Sequence, residues 1–224
     1  NTQRIAKNTL MLYARTLFTM FVSFYTSRVV LRALGVVDYG VYNVVGSSVA
    51  MFSMLSGSLA SAISRFITFE LGRGNREKLE RVFSTAVTVQ LMLALVVVLL
   101  AETVGLWFLT HEMDIPPERL AAAHWVYQFS VITFVIGLVS VPYNASIIAH
   151  EKMSTFAYIG IFEALSKLGV AYVISTTRAD RLVIYALLLM LIAVTVRLIY
   201  GIYCKRRFEE CSYRFTYDKP LLKE

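Results

Sequence analysis

The sequence predicts an all-α membrane protein of six transmembrane helices, and three observations carry that prediction. Six stretches reach the roughly 20 apolar residues that cross a bilayer core about 30 Å thick, in a chain of 224 residues. Apolar residues make up 57% and charged residues 17% of the chain, against about 45–50% and about 25% in soluble domains; the mean hydropathy of +0.62 agrees. The basic residues fall mostly on one side of the apolar runs, as the positive-inside rule requires. The net charge of +7 therefore reads as membrane orientation, and nucleic acid is not an expected partner.

The spans are taken in order as Asn8–Leu34, Tyr39–Phe69, Val82–Leu109, Leu120–Ala149, Thr155–Ser175 and Leu182–Cys204. Residues 1–204 then form one six-helix unit, and 205–224 a basic tail or linker. One side carries Arg4, Lys7, Arg73, Arg76, Lys78, Arg81, Lys152, Lys205, Arg206, Arg207, Arg214, Lys219 and Lys223; the other has only Arg119, Arg178 and Arg181. The first side is expected to be cytoplasmic, with both ends of the segment there. Trp107, Phe108, Trp125 and Tyr127 are expected to form an aromatic belt around the outer loop "THEMDIPPERL". The second span is longer than a bilayer needs, so it must tilt, bend or run into water. Its run "GSSVAMFSMLSGSLASAIS" suits close helix packing, a polar cavity, or both on different faces. Pro142 in the fourth span invites a kink.

Six bases lie inside these spans: Arg15, Arg28, Arg32, Arg65, Lys167 and Arg197. Each must snorkel, pair or face water, because a cation in hydrocarbon costs several kcal/mol, about 2.5–3.5 even on insertion scales. Arg197 lies near the inner interface, within snorkelling reach. Lys167 follows Glu163 by four residues in "FEALSKL", the favourable order for a helical ion pair; the pair is either a local neutralising device or a coupling element. Arg15, Arg28 and Arg65 favour a wet interior, with Arg32 closer to the outer interface. Arg15 and Arg28 stand about 140° apart around a straight helix, too far to share a narrow lumen without a bend. The first two spans hold no carboxylate until Glu70. Guanidinium groups without acids suit a phosphate-bearing, anionic guest rather than a cationic drug.

Three segments then carry a resemblance. "SRVVLRALGVVDYGVYNVV" resembles the first hairpin of the polysaccharide transporters of the MOP superfamily, the Wzx-type O-antigen flippases, with Arg32, Leu34, Gly35, Tyr39, Gly40 and Tyr42 on their Arg-x-Leu-Gly-x-x-x-Tyr-Gly-x-Tyr pattern. "SGSLASAISRFITFELGRGN" and "VPYNASIIAHEKM" resemble the ends of their second and fourth helices. The resemblance implies one lobe of a MATE-like two-lobed transporter. Such a protein moves an undecaprenyl-pyrophosphate-linked oligosaccharide across the bacterial cytoplasmic (inner) membrane, in polysaccharide or lipopolysaccharide synthesis, by alternating access. On that basis Arg15, Arg28, Arg32 and Arg65 would attract pyrophosphate and anionic sugars; only Arg32 occupies a motif position. Members usually carry twelve or fourteen spans, so a second lobe is the expected partner, beside the lipid bilayer and the lipid-linked oligosaccharide. The alternatives are a cation-coupled multidrug exporter of the same superfamily and a non-transporting assembly subunit.

Other signals come to little. "LGRGNREKLER" lacks the strand and the Gly-Lys-Ser/Thr of a phosphate loop. Cys204 and Cys211 sit among bases on the presumed cytoplasmic side, where thiols stay reduced. No metal cluster, nucleophile elbow or paired carboxylates appears, so neither an enzyme nor a cofactor is expected.

Overall fold

A computed structural model describes residues 2–113 and 115–211, with the side chains of 2–8 and 54–56 outside the description. Arg214, Lys219 and Lys223 lie outside the described residues, as do the side chains of Arg4 and Lys7. The described chain is helical throughout: α1 (Thr2–Ala50), α2 (Ser53–Arg73), α3 (Arg76–Leu100), α4 (Leu106–His111), α5 (Leu120–Ala149), α6 (Met153–Thr176) and α7 (Arg181–Arg207). A π-helical turn, Ala101–Gly105, joins α3 to α4, and 3₁₀ turns cover Pro117–Arg119 and Glu209–Cys211. Among the described residues five helical stretches are long and apolar enough to cross a membrane: Thr9–Ala50, Arg76–His111, Pro117–Ala149, Met153–Thr176 and Arg181–Arg207. The chain is an all-α membrane protein.

The first stretch is a fork. At Gly35 the backbone takes φ 82° and ψ 170°, a region open to glycine almost alone. Before that residue the chain climbs along α6: Arg15 stacks on Phe156, the Tyr25 and Tyr172 hydroxyls meet at 2.8 Å, and Ala33 accepts a hydrogen bond from Arg181. Beyond it the chain descends, and Val49 reaches the level of Leu189 and Ile192 on α7. The sequence suggested a turn of several residues between its first two spans. A single glycine makes it.

The rising arm packs through a narrow seam. Its less exposed positions include Leu12, Arg15, Thr19, Val22, Thr26, Val29 and Ala33, which alternate spacings of three and four, the repeat of a coiled-coil edge, and α6 is its main neighbour. Val30 is buried beside this seam, and most of the remaining arm, including Tyr13, Phe21 and Phe24, stays exposed.

The overlong span expected over Tyr39–Phe69 is two pieces, parted by a turn at Met51–Phe52. Ser47, Ser48 and Ser53 turn their hydroxyls onto the carbonyls of Asn43, Val45 and Ala50 at 2.6–2.7 Å. Such back-bonding competes with the helical ladder and bends it. Gly74 ends α2 with φ 70°, and the Asn75 side chain caps α3 by accepting from the Lys78 amide at 3.1 Å.

Tyr127 departs from the expected aromatic belt. It is 1% exposed, and its hydroxyl donates to the Ala101 carbonyl at 2.9 Å. That carbonyl also accepts from the Leu106 amide across the widened π turn. Gly105 makes the room, since a Cβ there would overlap the tyrosine hydroxyl. Trp107 and Trp125 do remain exposed. The helix α5 passes through Pro142 without interruption.

The two largest apolar clusters of the bundle lie one at each end. Ile67, Phe83, Ile147 and Cys204 centre the cluster at the end where α2 meets α3. Val45, Leu109, Val126 and Leu182 centre the other, below the fork.

Candidate functional site

The six bases predicted inside the spans separate into three groups. Arg28 and Arg32 are exposed one turn apart on the rising arm of α1, and Arg65 is exposed on α2. None of the three makes an ion pair or hydrogen bond with a described residue. Arg65 shares a shallow depression with Ser61, Ser64, Thr68 and Phe69. Ser61 and Thr68 donate to the carbonyls of Gly57 and Ser64 at 3.2 and 2.7 Å, so the helix itself satisfies their hydroxyl protons and leaves their lone pairs outward.

Arg15 does not join them. Its position on the seam turns it to α6, where its guanidinium carbon lies 4.1 Å from the Phe156 ring centroid and its Nε is buried without a hydrogen-bond partner. Gly160 gives it that place, because a Cβ there would overlap the guanidinium. Arg15 was expected to face a wet interior; it is packed against a ring instead, on a side of the helix consistent with its angular separation from Arg28, and the identity of the aromatic partner did not follow from sequence. Arg197 is likewise held by a ring, 3.8 Å from the Tyr143 centroid. A cation over a ring is worth about 0.5–2 kcal/mol, more where water is excluded.

The third group is the pair Glu163–Lys167, at 2.7 Å on α6, with side chains 36% and 47% exposed. Both line a cavity of about 290 Å³ between the descending arm of α1, α5, α6 and α7.

Two charged assemblies escaped the sequence reading. At the fork, Arg119 donates to Asp180 at 3.0 Å and to Asp38, which is 6% exposed. Arg181 donates to the Ala33 carbonyl at 2.9 Å and to that of Thr177 at 3.2 Å, while Asp180 caps α7 through the Leu182 amide at 3.1 Å. One arginine thus ties the descending arm, the start of α5 and the start of α7 together. At the other end, residues counted as a basic tail fold back. Phe208 stacks on His150 with ring centroids 4.0 Å apart, Glu210 meets His150, and Glu209 accepts from Arg76 at 2.6 Å. Cys204 and Cys211 are free and buried there. The neighbouring Cys204 thiol, and after it burial, push the Cys211 thiol above its ordinary value. Pairing between such distant residues has no local sequence signature.

Comparison with known proteins gives a family. The profile of the polysaccharide biosynthesis proteins matches residues 5–221. A membrane protein of Bacillus subtilis (strain 168), described as uncharacterized and named EpsK, is 22% identical over 130 residues, covering 58% of this chain and 26% of that protein. The chain's match therefore spans about a quarter of that relative's length. No solved structure matches significantly. With several long apolar helices and a family match over nearly its whole length, the chain is a multi-pass membrane protein that belongs to the polysaccharide biosynthesis protein family.

Proposed function

We propose that this chain is the N-terminal half of a flippase for undecaprenyl-pyrophosphate-linked oligosaccharide in the bacterial cytoplasmic membrane. Both ends of the segment lie on the cytoplasmic side, and a second lobe faces the exposed side of α1 and α2. The guest passes between the lobes by alternating access. Arg28, Arg32 and Arg65 attract its pyrophosphate and anionic sugars, and Arg15 braces the rising arm against α6.

The observation that carries this reading is the state of the three arginines. Arg28 and Arg32 are exposed on a helix long and apolar enough to cross a membrane and Arg65 on the shorter α2, and the three have no counter-charge among the described residues. A lipid-facing position for three unpaired cations would be costly, whereas a wet path with an anionic guest repays them through charge-assisted hydrogen bonds. Membership of the polysaccharide biosynthesis family supports the substrate class. The acid-free exposed face argues against a cationic drug.

The test is surface-glycan display in a strain depending on the complete protein. Arg28→Ala and Arg65→Ala should each abolish display at unchanged protein level in the membrane. Normal display by both variants would remove the cationic path.

A further inference from the structure

The two end clusters divide the bundle into two blocks, and the level between them holds four features foreign to a rigid core. The chain breaks at Met51–Phe52, between the descending arm of α1, which packs on the fork side, and α2, which packs in the opposite block. Pro142 divides α5 likewise: Val126 and Val131 belong to the fork side, Ala145 and Ile147 to the other. Phe52 and Leu138 share a small cluster with Ala94 and Val97, so the break lies about one turn from the proline.

The third feature is Gln90 on α3. It is 0% exposed, and neither its amide nitrogen nor its oxygen has a hydrogen-bond partner among the described residues. Ala94 packs with Leu138 on one side of it, and Phe83 meets the Tyr143 ring at 5.2 Å on the other. Gln90 is therefore level with the turn of α5 that runs from Leu138 to Pro142. The fourth is the cavity of about 290 Å³, which adjoins the end of the descending arm at Val49 and Ala50 and crosses to Leu189 and Ile192 of α7. It lies between Ala186 of one cluster and Val196 of the other.

We propose that the two blocks are hinged at this level, and that kinking α5 at Pro142 gives the Gln90 amide its acceptor, the Leu138 carbonyl. Proline has no N–H, so the Leu138 carbonyl lacks its usual helical donor. Within a membrane, polar side chains of neighbouring helices meet such freed carbonyls, and Gln90 is the amide at that level. This structure carries α5 unbroken through Pro142, the state in which Gln90 is unpaired. A buried unpaired amide is costly, and a kink relieves that cost, which brings the straight and bent states close in free energy. The cavity leaves room for one block to tilt on the other, while α3, α6 and α7 cross the level unbroken and follow by gentle curvature.

The consequence rests on the flippase reading. Arg65 rides on α2 with one block, whereas Arg28 and Arg32 stand beside the fork with the other. A bend changes their separation, so a guest that spans them favours one state over the other.

The experiment is double electron–electron resonance on the purified chain in phosphatidylethanolamine–phosphatidylglycerol nanodiscs. Spin labels on unnatural side chains keep Cys204 and Cys211 in place. One pair, at the exposed positions Val36 and Lys78, spans the two blocks; a control pair, Val36 and Val104, lies within the fork-side block. A kink of about 20° at one proline moves a point about 15 Å away by about 5 Å. The wild type should show two distances for the spanning pair, differing by about that amount, and one for the control pair. Gln90→Leu and Pro142→Ala should each leave a single spanning distance, with a melting temperature no lower than that of the wild type. A single spanning distance in the wild type, or two that persist in Gln90→Leu, overturns the proposal. None of these measurements uses the glycan. Two distances alongside normal display in Arg28→Ala and Arg65→Ala would keep the hinge and remove the cationic path; one distance with display lost in those variants would do the reverse.

Discussion

Arginines occur in two very different settings in this molecule. At the fork, Arg119 has two carboxylates in place, and Asp38 is buried beneath it. On the exposed surfaces of α1 and α2, Arg28, Arg32 and Arg65 have none among the described residues. The same side chain therefore serves two purposes, and the presence of a built-in counter-charge separates them. A cation that holds the fold is neutralised when the chain folds. A cation meant for a guest must wait for its partner, and a bundle that carries several such groups has to gain its stability elsewhere. Here that gain lies in the two apolar end clusters and in the seam between α1 and α6.

The contrast can be broken most directly at Asp38. Asp38→Asn removes a charge-assisted bond and leaves Arg119 with Asp180 only; a loss of about 1.5–3 kcal/mol is expected, read as a lower melting temperature in detergent. Arg28→Ala should do the opposite of what a structural arginine does. Its stability should stay within about 0.5 kcal/mol of the wild type even as glycan display is lost. A comparable fall in both variants would erase the distinction between the two settings. A smaller effect sharpens the seam: Tyr25→Phe removes the hydroxyl contact with Tyr172 and should cost about 0.5–1.5 kcal/mol, with Tyr172→Phe adding little in the double variant.

The smallest effect concerns the opposite end. Because the folded state favours the neutral Cys211 thiol, its contribution is full below an ordinary thiol value of about 8.5 and declines as pH rises above it. Melting at pH 7 and at pH 9.5 should differ more for the wild type than for Cys211→Ser. An equal difference would show that the buried thiol carries no such linkage.

Much of the architecture is legible in the residues one by one. Leu, Val and Ile runs long enough for a bilayer can only be helices, since every backbone group must bond within its own segment. Gly35 is readable as a turn, and Gly74 with Asn75 as a helix end followed by a start. The small and hydroxylated run of the second span could be read as a liability for one straight helix, but not the place where it gives way. Arg28 and Arg32, sharing one helical face, were identifiable as a pair.

Neighbours along the chain thus dictate the local and the periodic: the all-helical membrane class, the clustering of bases, and the i,i+4 bond of Glu163 with Lys167. Tertiary structure alone decided which residues distant in the chain meet. Arg119 reaches Asp38 across 81 positions, His150 reaches Glu210 across 60, and Tyr127 fills the space left by Gly105. The reason is physical. Helical period and hydropathy are properties of neighbours along the chain, whereas a buried charge or hydroxyl finds its partner only after helices have packed and water has been excluded.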